Sequence, residues 1–295
     1  MKHLYLISKL FCLTTALLLS ASAHAQQKGL LWQITGKNIT QPTYLFGTIH
    51  LFDTTLYRLP DAVMNKLTQT KKVYFELDFS KINPAEMLPH IMIKDSTQQL
   101  DKLFDATTLD KLKDITKTSP MMQGMGPMLY KFKPLFLTTL LLNNGKAVTI
   151  DMEMQKRAVS LKDSVGGLET VAEQMQALDA VSIAKQVQMM QEFIKSYTTA
   201  DELVKKLTEI YVKQDIENLL TELNNNAPID ASFNEALLVK RNITMANRID
   251  KVLGKQSTMI AVGSGHLGGK DGLIMLLKAK GYILKNVPFV FEKVK

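Results

Sequence analysis

Cysteine is all but missing from the chain. The one thiol, Cys12, falls within the first 25 residues, so residues 26–295 hold none, and disulfide or thiolate chemistry is excluded there. Histidine is almost as scarce: His3 and His24 belong to the same leading segment, which leaves only His50, His90 and His266. Arginine occurs only as Arg58, Arg157, Arg241 and Arg248 within a Lys+Arg total of 36, so the net charge of +8 is carried mainly by lysines scattered among acids. With neither an arginine-rich stripe nor an aromatic ladder, nucleic acid is not an expected partner. Long apolar runs are lacking after the leader as well. The longest, 134–142, has the length of a core helix, so no transmembrane segment is expected once the leader is removed.

The leader has the makings of a signal peptide. Lys2 and Lys9 give it a basic start, Leu10 to Leu19 an apolar core, and Ala23-His24-Ala25 a small-x-small cleavage site. Residues 1–25 are therefore expected to be removed on export, with the periplasm as the expected destination and secretion as the alternative. The remainder is long enough for one large domain, or for a sheet domain carrying a helical subdomain.

β-like patterns mark both ends of the mature chain. Leu31–Thr35 and Tyr44–Ile49 flank a polar turn and read as a hairpin, 60–67 reads as a helix, and Val73 to Phe79 alternates strictly. That alternation puts Val73, Phe75, Leu77 and Phe79 on one face and Tyr74, Glu76 and Asp78 on the other. From about 83 to 253 the pattern is helical, with helices expected near 106–117, 134–143, 151–161, 170–195, 199–222 and 230–253. Asp151, Thr199 and Asp230 are expected caps, and Gly166-Gly167 and Asn224–Asn226 expected turns. A strand at 257–262, a helix at 271–280 and a strand at 282–287 follow. Two β-rich ends around a helical middle predict an α/β (α+β) fold whose mixed sheet is assembled from both termini.

Two strands end alike. Tyr44-Leu-Phe-Gly-Thr-Ile-His50 and Ala261-Val-Gly-Ser-Gly-His266 each run into a glycine with histidine three residues on. A glycine at a strand end leaves room for the following imidazole to project into the crevice where sheets bind ligands. Glu76, opposite the apolar face of its strand, is the carboxylate placed to meet both. Two imidazoles and a carboxylate can hold a divalent cation that activates water, or can work without metal as an acid–base group. Arg241 and Arg248, seven apart on one expected helix, suit a substrate carboxylate or an oxyanion. His90 has no partner pattern and reads as structural. Met121, Met122, Met125 and Met128 read as packing, with a substrate-contacting lip as the alternative.

Tyr44–His50, Phe75–Asp78, Gly167-Leu-Glu-Thr170, Arg241-Asn242 and Val262–Leu267 together resemble the ordered motifs of the TraB/PrgY/GumN family, related to the Tiki metalloproteases, over about 30–287. The resemblance implies a single domain over 26–295, an erythromycin esterase/ChaN-like fold and a hydrolytic site at His50, Glu76 and His266. It also implies a divalent metal, Mn²⁺ or Co²⁺, to which the donor set adds Zn²⁺. Asp151, Glu169, Arg241 and Asn242 match further motif positions, expected near substrate. Met245 stands where relatives often carry an aromatic residue, which would alter packing of the pocket. The expected function is an exported metal-dependent hydrolase acting on a peptide or small molecule. The alternatives are a non-catalytic envelope protein that captures such a ligand, and a metal-independent esterase.

Overall fold

A computed structural model of the chain describes residues 28–294 apart from 144, 220 and 222–233. The expected signal peptide, the Asn224–Asn226 turn and the Asp230 cap lie outside the described residues. Eight strands form: β1 (Leu31–Thr35), β2 (Thr43–Thr48), β3 (Phe52–Asp53), β4 (Lys72–Phe75), β5 (Ala147–Val148), β6 (Ser164–Gly167), β7 (Thr258–Gly263) and β8 (Ile283–Asn286). Six of them make one sheet in the order β6-β4-β7-β2-β1-β8. β2, β7, β4 and β6 run parallel, while β1 is antiparallel to both of its neighbours. β7, from the far end of the chain, inserts between β2 and β4, so both termini build the sheet as the patterning predicts.

β2 is buried at every position, and β7 at all but its last, which is how central parallel strands covered on both faces behave. Leu45, Phe46, Ile260 and Val262 are fully buried, each contributing about 1.5–3 kcal/mol by removal from water. Helices α1 (Asp61–Leu67), α2 (Pro84–Ile91), α3 (Ala106–Lys117), α4 (Pro134–Leu141), α5 (Ile150–Ser160), α6 (Val171–Asp179), α7 (Ile183–Ser196), α8 (Ala200–Tyr211), α9 (Lys240–Val252) and α10 (Leu273–Ala279) carry most of the rest. They divide between two cores. One surrounds the sheet and takes in Met154, Tyr211, Met245 and Ile249; the other, built on Leu100, Leu112, Leu137 and Met190, lies among the helices away from the sheet. Among the described residues no helix is long and apolar enough to cross a membrane.

Several local expectations are corrected. Gly166-Gly167 is not a turn but part of the edge strand β6: a Cβ on Gly166 would lie 2.8 Å from the Tyr74 ring of β4, so the missing side chain is what lets the strands meet. The alternation through Phe79 does not continue as a strand. β4 stops at Phe75, after which Glu76 and Asp78 turn inward while Leu77 and Phe79 are left partly exposed. The single helix expected over 170–195 is two, α6 and α7. The first opens with a capping box between Thr170 and Glu173, and the second begins at the Ser182 cap. Thr199 caps α8 as expected, but Asp151 does not cap α5, which starts after Thr149 and leaves Asp151 in its first turn. Met122 is buried in the helical core and Met128 is exposed. Met245 is fully buried in the sheet core and does not line the cleft described below.

Candidate functional site

Parallel pairing brings the carboxyl ends of β2, β7 and β4 to one edge of the sheet, with Thr48 beside Gly263 and Phe75 beside Ala261. That register places the two Gly-x-x-His segments and Glu76 side by side. Neither glycine is needed for a left-handed backbone: φ is −51° at Gly263, and Gly47 is not among the positive-φ residues. Both are needed for space. A Cβ on Gly47 would lie 2.5 Å from Leu267 Cδ1, and one on Gly263 3.0 Å from Glu76 Oε1.

Glu76 is the hub. Its Oε1 accepts from the Gly263 N–H at 2.6 Å, and its Oε2 accepts from Arg241 Nη2 at 2.6 Å and from Gln174 Nε2 at 3.0 Å. Arg241 also donates through Nε and Nη2 to Glu169, at 3.0 and 2.7 Å, and through Nη1 to the Leu237 carbonyl. A π-helical turn at Glu235–Val239 leads into α9 and aims this side chain at the sheet edge. Burial opposes charge on Glu76, but His266, the Arg241 guanidinium, His50 and the Gly263 N–H outweigh it, and the pKa falls to about 2.

The imidazoles are held from behind by different groups. Asn242, next to Arg241, donates its Nδ2 to the Asp271 carbonyl at 2.8 Å, which turns its Oδ1 toward His266 Nδ1 at 2.6 Å. An amide oxygen only accepts, so the His266 proton sits on Nδ1, and the Nε2 lone pair faces Glu76 Oε1 at 3.6 Å. Burial pushes His266 down to about 4, against the pull of Glu76 and with the aid of the Arg241 and His50 charges. Behind His50 stands Asp151, brought there because Ile150 N–H donates to the Ile49 carbonyl and Thr149 Oγ1 to the His50 carbonyl. Thr48 Oγ1 donates to Asp151 Oδ1 at 2.8 Å. The other carboxylate oxygen, buried and without a closer hydrogen bond, lies 3.5 Å from His50 Nδ1. This contact raises His50 to about 9, with the Asp151 and Glu76 charges assisting and partial desolvation and the Arg241 charge opposing.

The edge opens into a cavity of about 430 Å³ lined by His50, Glu76, Arg241, Gln174 and His266, with Leu178, Leu237 and Leu238 forming its apolar wall. The structure thus gathers four of the sequence-predicted residues, His50, Glu76, His266 and Arg241, around one space. Glu169 and Asn242 do not face it. They are buried behind it, gripping Arg241 and His266, so their expected place beside substrate is corrected. Arg248 lies elsewhere: it grips Glu173 at the start of α6 through Nη1 and Nη2, at 2.8 and 2.5 Å, and donates to the Leu168 carbonyl. Sequence reasoning missed Gln174, Thr48 and Tyr211, whose hydroxyl donates to the Gly47 carbonyl at 2.6 Å. Thr48 alone carried a signal, as a hydroxyl inside an otherwise apolar strand end.

The donors suit a divalent cation in kind. Two imidazole Nε2 atoms with Nδ1 held by an acceptor, next to an ionised carboxylate, form a nitrogen–oxygen set with the outer hydrogen bonds that metal ligands require. As they stand, however, no three His, Asp or Glu side chains among the described residues are grouped closely enough to enclose a metal ion. His50 is the accessible member, its side chain 65% exposed against 6% for His266.

A model of the TraB/PrgY/gumN family matches residues 30–286. Among curated proteins, the Metalloprotease TIKI1 of Xenopus tropicalis is 24% identical over 90% of this chain and 62% of its own length. The Metalloprotease TIKI2 of Danio rerio is 22% identical over 88% and 61%, and the human Metalloprotease TIKI1 23% identical over 84% and 60%. The chain therefore spans about three fifths of the length of the curated relatives it matches. No solved structure matches it.

Proposed function

The chain belongs to the TraB/PrgY/gumN family, and from that premise we propose that it is a metal-dependent hydrolase of the peptidase type, exported to the periplasm. The observation that carries the reading is the meeting of His50, Glu76 and His266 at the carboxyl edge of three adjacent parallel strands. The erythromycin esterase/ChaN-like architecture belongs to the same reading, as does the metalloprotease activity for which the Tiki relatives are named.

In this proposal His50 Nε2, His266 Nε2 and a Glu76 oxygen hold the cation, with Mn²⁺, Co²⁺ or Zn²⁺ fitting the donor set. A cation held there would supply the Lewis acidity for activating water and polarising the scissile carbonyl. Glu76, pulled to about 2, is a weak base and a firm anionic donor, which favours the role of ligand over that of proton acceptor. Arg241 spends Nε, Nη2 and one Nη1 N–H on Glu169, Glu76 and the Leu237 carbonyl, so its main role is to position Glu76. Asn242 fixes the His266 tautomer, and His50, set against Asp151, would supply the second imidazole. The His50–Asp151 pair favours one second reading, metal-independent hydrolysis with His50 as the acid that protonates the leaving group.

Elemental analysis of the purified protein, paired with digestion of a peptide library with and without chelator, tests the proposal. About one equivalent of divalent metal is expected, with hydrolysis that chelator abolishes and that His50→Ala and His266→Ala both lose along with the metal. Hydrolysis unchanged by chelator selects the metal-independent reading. Full activity in both alanine variants rules out the site.

A further inference from the structure

The cleft does not end at the cavity containing His266. A second cavity of about 270 Å³ shares His50, Glu76, Thr139 and Gln174 with the first and continues on the other side, lined by Leu77, Phe79 and Thr149. Phe79 in turn borders a shallower hollow over Met152 and Val159 of α5, which are 43% and 56% exposed. His50 and Glu76 thus form a waist. Leu178, Leu237 and Leu238 lie to one side, Leu77 and Phe79 to the other.

Every charged side chain on these walls already has a partner of opposite or complementary kind. Arg241 pairs with Glu76 and Glu169, Glu76 takes in Gln174 and the Gly263 N–H, and Asp151 meets Thr48 and His50. A charged group of the substrate would enter an apolar pocket with no free counter-charge, a costly desolvation. One N–H of the Gln174 amide is committed to Glu76, which leaves its amide oxygen as an acceptor at the waist suited to a peptide N–H.

We propose that the cleft is a two-sided binding site for an extended, uncharged peptide segment. An apolar side chain seats on the Leu178–Leu237–Leu238 wall, another on the Leu77–Phe79 wall, and the bond to be cleaved lies between them at the waist. This assignment rests on the peptidase reading above, to which it adds substrate class and specificity-determining residues. It makes the enzyme act within a chain. The one charged side chain past the two walls, Lys156 beside the hollow beyond Phe79, is paired with Glu153, so neither end of the cleft offers an unpaired charge to capture a free terminus.

The test uses the intact metal-loaded protein and a set of fluorogenic peptides that carry Leu, Met or Phe, or instead Asp, on each side of a fixed bond. Cleavage inside the peptide is expected, with kcat/KM falling about tenfold or more when Asp occupies either flank. Leu178→Lys should restore cleavage of peptides with Asp on one flank and Phe79→Lys of those with Asp on the other. Leu178→Gln and Phe79→Gln serve should the lysine variants fail to fold, each weakening the apolar preference on one flank only. Equal cleavage of charged flanks, both variants altering the same flank, or release of single terminal residues would overturn the assignment. If no peptide is hydrolysed, the peptidase reading fails by itself. The site is then read by fluorescence anisotropy of the labelled peptides on chelator-treated protein. The same dependence on each flank and each variant supports it, and binding indifferent to both overturns it.

Discussion

His50 and His266 occupy equivalent places at the ends of neighbouring parallel strands, each three residues beyond a glycine, and yet they differ in almost every physical respect. His266 is buried against an amide and pushed down to about 4; His50 is exposed toward the cleft, set against a buried carboxylate and raised to about 9. The motif therefore fixes where an imidazole stands, and the residue behind it fixes which charge it carries. At neutral pH the metal-free site holds a neutral His266, a protonated His50 and an ionised Glu76 between them.

The largest expected effect comes from removing what both histidines depend on. Arg241→Met leaves Glu76 and Glu169 as uncompensated buried carboxylates and should cost about 3–5 kcal/mol, read from urea unfolding. A loss near zero would show that the network does not hold the site.

The titration contrast comes next and is best measured on metal-free protein by NMR of the imidazoles. Asp151→Asn removes the largest cause of the rise and should bring His50 from about 9 down toward its ordinary 6.5, while His266 stays near 4. A His50 that remains near 9 would show that Asp151 is not the cause. Stability should follow the same division. The His50 contribution is complete below about 6.5 and is lost as pH rises through about 9, and Asp151→Asn should flatten that alkaline limb. The His266 contribution is complete above about 6.5 and is lost as pH falls through about 4, a limb the variant should leave intact.

Smaller effects separate the two glycines. Gly47→Ala meets buried Leu267 and the Ser264 backbone and should cost about 1–3 kcal/mol in stability. Gly263→Ala meets Glu76 itself, so metal affinity should fall more than stability does. Equal loss of both properties in the two variants would mean that the glycines are interchangeable. The smallest effect is expected at Arg248, whose pairing with Glu173 is half-exposed. Arg248→Ala should cost no more than about 1 kcal/mol and leave metal binding unchanged.

The strands and the hub of the site were legible because they follow period and parity. Burial on both faces makes β2 and β7 continuous apolar runs, and a glycine at the end of each announces the histidine. Parity grouped Glu76 with Asp78, and both do turn inward past the end of β4, but only Glu76 reaches the cleft, since Asp78 is held by Ser80, Gln155 and Lys81. Gly166-Gly167 was misread because close strand contact and a turn both select glycine. Arg248 was misplaced because seven residues along a helix bring a side chain nearly to the same face while moving it two turns along the axis, here away from the cleft to Glu173. Gln174 and Tyr211 had no local signature. Their roles exist only once chain separations of 98 and 164 residues have been closed by folding.

The π-helical turn at Glu235–Val239 gives the chain an unusual vulnerability to changes of length. It accommodates one residue more than an ordinary helical turn, and each residue of an α-helix rotates the side-chain direction by about 100°. Deleting a single position there would relax the turn and swing Arg241 and Asn242 together off their targets, disconnecting Glu76 and His266 in one event. In this segment a one-codon deletion should therefore do more harm than most substitutions.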